Sequence, residues 1–354
     1  MSILFQPLTV GALELPNRLV MAPLTRSRAG ESRIPNDLMQ EYYVQRASAG
    51  LIITEATAIT PSAVGYADTP GIWSDAQVAG WKKITDAVRA AGGRMVMQLW
   101  HVGRISDPIF LNGELPVAPS AIQPAGHVSL VRPKKDYVTP RALTTAEVKA
   151  IVQDYRQAAI NAKAAGFDGV ELHGANGYLI DQFLQTKTNQ RDDEYGGSLE
   201  NRARLLLEVT DQLIDVWGAD RVGVHLAPRR DAHDMGDDNP VETFGYVAEQ
   251  LGARKIAFIC AREYVADDSL AGLIKQKFGG VFIANEKLER EQAERLLELG
   301  EADAVAFGQL YIANPDLLER FKQHAELNTP NPATYYAEGV TGYTDYPFLT
   351  DSVK

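Results

Sequence analysis

"ELHGANGYLIDQFL", residues 171–184, is a buried strand with a polar end loosened by glycines. Glu171 and Leu172 belong to the run "GVELHGA" (169–175), which is greasy on both faces apart from the glutamate. His173, Asn176 and Tyr178 follow, with Gly174 and Gly177 between them. A strand apolar on both faces fits a parallel sheet, because each βαβ crossover lays a helix over a face. Seven more such runs occur: "RLVMAP" (18–23), "GLIITEAT" (50–57), "RMVMQLWH" (94–101), "RVGVHLAP" (221–228), "IAFICARE" (256–263), "GGVFIANE" (279–286) and "DAVAFGQL" (303–310).

Helical patterns alternate with these runs. "NDLMQEYYVQRASAG" (36–50) ends at a glycine, and "SDAQVAGWKKITDAVRAAGG" (74–93) runs from a serine to Gly-Gly. "TTAEVKAIVQDYRQAAINAKAAG" (144–166) opens with Thr144 and Glu147 at capping-box spacing. "SLENRARLLLEVTDQLIDVWG" (198–218) starts at Ser198. Shorter helices are expected near 241–252, 268–277, 288–299 and 314–325. Eight strand–helix units without a linker predict one α/β domain over 1–354, a (β/α)8 TIM barrel. The competing doubly wound sheet calls for a glycine-rich loop after the first strand, and "MAPLTRSRAG" has none. A barrel core takes about 250 residues, which leaves roughly 100 for excursions. The largest, 102–143, follows strand three and is expected to cap the barrel mouth.

The chain has 354 residues, 45% hydrophobic and 23% charged, with a net charge of −11. That acidity argues against a nucleic-acid surface. A single cysteine, Cys260, rules out a disulfide framework and a cysteine-rich metal centre, and its apolar strand suggests a buried small hydrophobe. "MSILFQPLTVG" does not read as a signal peptide, and no apolar run reaches the roughly 20 residues of a membrane span. A soluble cytoplasmic protein, monomeric or weakly homo-oligomeric, is expected.

In such a barrel the chemistry lies at the C-terminal ends of the strands. Those ends offer Thr25; Glu55 and Thr57; Gln98, Trp100 and His101; His173, Asn176 and Tyr178; His225; Arg262 and Glu263; Asn285 and Glu286; and Gly308 and Gln309. No HExxH, GxSxG or Walker pattern occurs, and no metal site is expected. Mostly neutral donors and acceptors suit a large polar ring system with a phosphate tail. Two donors, the Asn176 amide and a neutral His173, would stabilise negative charge growing on a substrate carbonyl oxygen. In an α,β-unsaturated carbonyl this makes the β-carbon electrophilic toward hydride. Tyr178, a phenol protonated at neutral pH, would then protonate the α-carbon. On the residues alone, a structural histidine and a core tyrosine are equally good readings.

The segments "MAPLTRSRA", "QLWHVGRIS", "ELHGANGYLIDQFL", "NQRDDEYGGSLENRARLLLEV", "FGQLYIANPDL" and "GYTDYP" resemble the old yellow enzyme family of ene-reductases, in the same order over nearly the whole chain. The likeness is nearest to the bacterial branch that includes N-ethylmaleimide reductase and pentaerythritol tetranitrate reductase. The resemblance implies a TIM barrel with noncovalent FMN, reduced by NADPH or NADH. Its substrates would be enones, extending to nitro compounds or nitrate esters. It implies that Thr25 bonds the flavin C4 carbonyl, that Pro23, Leu24 and Ala56 line the ring, and that Gln98 bonds its pyrimidine edge. His173 and Asn176 would hold the substrate oxygen and Tyr178 would donate the proton. Tyr66 and Trp100 would wall the substrate pocket, with Tyr336 near the outer ring. Asn285, Gly308 and Gln309 would meet the phosphate. Two positions depart from the family: His225 and Gln309 stand where it usually has arginines. Arg229 and Arg230 are candidate substitutes, and a solvated loop pair is an equal reading of them. These departures motivate the alternative, a flavin-free barrel serving as a binding protein or non-redox lyase or isomerase.

Overall fold

The computed structural model describes residues 2–229 and 232–350. In chain order the elements are β1 (Leu8–Val10), β2 (Leu13–Leu15), β3 (Leu19–Met21), α1 (Asp37–Gln45), β4 (Leu51–Ile53), β5 (Thr57–Ala58), α2 (Asp75–Ala90), β6 (Met95–Trp100), β7 (Val117–Ala118), β8 (Arg141–Ala142) and α3 (Thr145–Ala164). There follow β9 (Gly169–Gly174), α4 (Leu179–Leu184), α5 (Leu199–Trp217), β10 (Val222–Leu226), α6 (Pro240–Ala253), β11 (Phe258–Arg262), α7 (Ala271–Phe278), β12 (Val281–Asn285), α8 (Arg290–Glu298), β13 (Ala304–Phe307), α9 (Gln309–Ala313) and α10 (Leu317–Gln323).

Strands β3, β4, β6, β9, β10, β11, β12 and β13 pair in parallel around a ring, and β13 closes onto β3. This is the expected (β/α)8 barrel. Each of the eight apolar runs contributes one of its strands. The capping box at Thr144 forms: the Thr144 oxygen accepts the Glu147 N–H, and Glu147 accepts the Thr144 N–H. The expected helix near 268–277 begins only at Ala271, and that near 314–325 is Leu317–Gln323, preceded by the short α9.

One feature went unread in the sequence. Hairpin β1–β2 plugs the bottom of the barrel. Its Val10, Leu13 and Leu15 pack among inward residues such as Val20, Ile53, Val96 and Phe258. Gly11 at its tip has φ +58°, and a Cβ there would lie 2.1 Å from the Asp220 carbonyl oxygen. Ala12 N–H donates to that same oxygen at 2.9 Å. The turn therefore needs glycine for both its φ and its closeness to the neighbouring backbone.

At the top, the 102–143 excursion lies over the mouth. Val102, Ile105, Val128 and Tyr137 pack against Ala56 and Trp100. The other side of the mouth is a strap, 334–343, tied down by the loop after β3. The Arg26 guanidinium donates to the Tyr335 and Gly342 carbonyls, and Arg28 donates to those of Thr334, Tyr335 and Thr341. Buried Glu55 accepts the Arg26 N–H at 3.2 Å. Burial pushes its carboxyl up to about 7, against the pull of Arg26 and its backbone. Burial also pushes Asp181, in α4, up to about 7.

Two outcomes follow. Gly11→Val should cost about 2–4 kcal/mol in urea unfolding, from left-handed strain plus a backbone collision; an unchanged midpoint would refute the tight plug. For Glu55 and Asp181 the folded carboxyls hold their protons more tightly than unfolded ones. Their contribution is complete below about pH 4 and is lost as pH rises to about 7, by roughly 1–3 kcal/mol each. Unfolding measured from about pH 4 to 8 should show that decline, and Glu55→Gln should remove about half of it.

Candidate active site

The opening stretch builds the centre of the rim. After β9 the backbone takes two left-handed residues in succession, Asn176 at φ +59° and Gly177 at φ +78°. Asparagine tolerates that region better than other side-chain-bearing residues. At Gly177 a Cβ would lie 2.8 Å from the Ala232 carbonyl oxygen and the Met235 side chain. Asp181 holds the turn by accepting the Gly177 N–H at 2.9 Å. The glycine and asparagine thus bend the chain so that His173, Asn176 and Tyr178 line one cavity of about 660 Å³, within the usual range for small-molecule sites.

Each of the three is fixed from behind. His173 Nδ1 accepts the Ala175 N–H at 3.3 Å, which puts the ring proton on Nε2. Burial, then the neighbouring His225 and Arg262, push His173 well below its usual range, so it is a neutral donor at pH 7. The Asn176 side-chain oxygen accepts from Arg262 Nη1 at 3.1 Å, which leaves its NH2 for the cavity. Tyr178 Oη lies 2.9 Å from Tyr66 Oη. Burial raises its pKa, so it keeps its proton throughout the neutral range. Behind Tyr66 stands His233: its Nδ1–H donates to the Asn176 carbonyl at 2.7 Å, and its Nε2 is 3.5 Å from Tyr66 Oη. Trp100 stacks between Tyr66 and His173, with centroids 5.4 and 6.3 Å away.

The floor is a buried polar group on inward positions of β6, β9 and β10. Gln98 Nε2 donates to Glu171 at 2.7 Å and lies 3.4 Å from His225 Nδ1. His225 Nδ1 also lies 3.5 Å from Glu171 Oε1, and His225 Nε2 is buried with no partner among the described residues. An orphaned buried ring nitrogen on a cavity wall fits a polar atom of a ligand. Glu171, His225 and Cys260 bring ligand-capable atoms within 4.8 Å of one another. Burial raises the Cys260 thiol well above its usual range, which disfavours the thiolate that a metal needs.

Pro23, Leu24 and Thr25, on the irregular segment after β3, form one wall with Ala56, and Tyr336 closes the outer edge, half exposed. Asn285, Gly308 and Gln309 follow at the ends of β12 and β13, the latter paired with β3 beside that wall. A Cβ on Gly308 would touch only Leu24, so this backbone is open to a ligand. The donors and this open backbone fit FMN.

Of the fifteen expected site residues, Tyr66 alone does not line the cavity. It stands one layer back, against Trp100 and Tyr178. Arg229 does not serve a phosphate: it is paired with Glu263 and Asp268. Arg230 lies outside the described residues. The structure adds Arg262, Glu286 and Lys287 to the lining. Glu286 and Lys287 carry φ of +110° and +52°, and Glu286 pairs with Arg262 at 2.5 Å. Arg262 stood at a strand end in the sequence, but nothing there showed its reach across to Asn176.

The sequence pattern of the NADH:flavin oxidoreductase / NADH oxidase family matches residues 3–328. A probable flavin mononucleotide-dependent alkene reductase of Leishmania infantum is 44% identical over 356 residues, covering 98% of each chain. Morphinone reductase in complex with tetrahydroNAD superposes with a TM-score of 0.95 at 49% identity, over 99% of both chains. The old yellow enzyme homologue from Zymomonas mobilis does so with a TM-score of 0.95 at 44% identity, over 98% of this chain and 99% of that one. With the barrel, the cavity and these likenesses in agreement, the chain belongs to the NADH:flavin oxidoreductase / NADH oxidase family, the old yellow enzymes.

Proposed function

We propose that His173, Asn176 and Tyr178 are the catalytic residues of this chain. It is an FMN-dependent NAD(P)H oxidoreductase that reduces activated C=C bonds, as an ene-reductase does. The carrying observation is that protein hydrogen bonds already occupy His173 Nδ1 and the Asn176 side-chain oxygen. What both residues turn to the cavity is therefore an N–H.

Bound FMN would supply the hydride chemistry between NAD(P)H and the β-carbon of the second substrate. His173 Nε2–H and the Asn176 NH2 hold the substrate oxygen and stabilise the charge that develops on it. Because they are placed beforehand, they do not reorganise during the reaction. Tyr178 Oη carries the proton destined for the α-carbon, and burial keeps it loaded. Trp100 walls the substrate side, with Tyr66 bracing Tyr178. Pro23, Leu24, Thr25, Ala56, Gln98 and His225 would hold the isoalloxazine, and Asn285, Gly308 and Gln309 the phosphate. Tyr336 would shield the outer edge. The flavin-free alternative rests on His225 and Gln309, and against it His225 keeps a buried ring nitrogen without a partner among the described residues. Residues 1–354 are read as one domain with 102–143 as its cap, monomeric or weakly oligomeric. Nitro compounds and nitrate esters join enones as substrates. Among the described residues no helix is long and apolar enough to cross a membrane; a cytoplasmic setting, where NAD(P)H is regenerated, suits the reaction.

The purified protein should show a flavin spectrum that NADPH bleaches without oxygen and cyclohexenone restores. A protein that stays colourless after incubation with FMN would refute the cofactor reading. Tyr178→Phe should slow reoxidation by enone about 100-fold or more and spare reduction by NADPH. If stopped-flow traces of both half-reactions match wild type, the proton comes from elsewhere.

A further inference from the structure

We infer that Arg262 is a positioning residue that sets which face of the Asn176 amide meets the substrate. This inference rests on the assignment of His173 and Asn176 as the substrate-oxygen pair.

An asparagine side chain presents oxygen or NH2 according to a rotation of about 180°, and nothing in its own covalent structure prefers either. In this site the choice decides the chemistry. With NH2 inward it stabilises a developing oxyanion; with oxygen inward it repels one. Arginine has donors only, so it can face the amide only at the oxygen. Arg262 Nη1 donates to Asn176 Oδ1 at 3.1 Å. The reversed amide would set donor against donor.

Arg262 is itself held. Its Nε donates to Glu286 at 2.5 Å, and residue 286 keeps a φ of +110°. One carboxylate on Nε and one amide oxygen on Nη1 fix the plane of the guanidinium, which a lysine ammonium would not do. Arg262 sits at the top of β11, in register with Asn285 of β12, on the cavity side. Asn176 lies on the loop after β9, two strands away, so the bond crosses over the end of β10. The hydrogen bond is charge-assisted, and drawing electrons toward the amide oxygen makes the NH2 a stronger donor. The Arg262 charge is a lesser influence on His173, after burial and His225, so its effect on the pair runs through Asn176.

The test is isothermal titration of the FMN-loaded protein with 4-chlorophenol, which presents its oxygen to the pair. Arg262→Met should weaken binding about tenfold, and Asn176→Ala by a similar factor. The double variant should bind no worse than Asn176→Ala alone, because the arginine acts through the asparagine. Arg262→Lys keeps the charge without the planar fork and should fall between. Flavin content and its visible spectrum should be unchanged in all four. Unchanged affinity in Arg262→Met, or a further tenfold loss when it is added to Asn176→Ala, overturns the inference. If Arg262→Met does not fold, Arg262→Lys and Glu286→Gln carry the test: each should lose affinity, and neither should do so in the Asn176→Ala background. Wild type that carries FMN yet binds no phenol overturns the His173–Asn176 assignment, and this inference with it. Normal wild-type binding with an indifferent Arg262→Met overturns this inference alone.

Discussion

The site depends on which ends of two side chains are already engaged. An imidazole and an amide are each both donor and acceptor, so their presence at a rim does not say what they offer a ligand. Here a backbone N–H takes the acceptor of His173 and a guanidinium takes the acceptor of Asn176. Two ambiguous groups become two donors aimed at one cavity. Burial then removes charge as a variable, holding the imidazole neutral and the neighbouring phenol protonated.

That arrangement is possible because the barrel is rigid where it needs to be. Pairing of β13 with β3 closes the ring of eight strands, and the hairpin plug fills the bottom with apolar side chains. Gln98 pairs in register with Glu171, and His225 with His173 further along β9, with Gln98, His173 and His225 lining the cavity. Since Gln98 bonds Glu171 and lies beside His225, the floor is a connected group in which each member restrains the next. Glu171 Oε1 and His225 Nε2 are left without partners among the described residues, and of the two residues His225 lines the cavity.

Charge at the rim is distributed in an unusual way. The two positions where the family resemblance expects arginines hold a histidine and a glutamine, and Arg229 is committed to Glu263 and Asp268. Among the described residues, the cations that line the cavity are Arg262 and Lys287. Arg262 is balanced by Glu286, so it contributes orientation more than net charge. The strap at 334–343 is held by Arg26 and Arg28 mainly through backbone carbonyls, which keeps those two guanidinium groups out of the cavity's chemistry.

The barrel was legible because its signal is local and repeated. Apolar runs, capped helices and glycine stops each reflect a short-range preference, and eight repeats leave few topologies. Most of the rim was legible for the same reason, since a residue at the end of a parallel strand points to one place. What lay beyond reach were contacts between elements far apart in sequence. The hairpin's insertion into the barrel floor, Tyr66 standing behind Tyr178, and Arg229 turning to Glu263 are of this kind. The bond from Arg262 to Asn176 spans 86 positions. By itself the sequence determined the fold, the rim and the kinds of groups on it. Which atom of each group faces the ligand was decided only by tertiary structure, because a hydrogen-bonding side chain takes its role from the partner that folding brings to its other end.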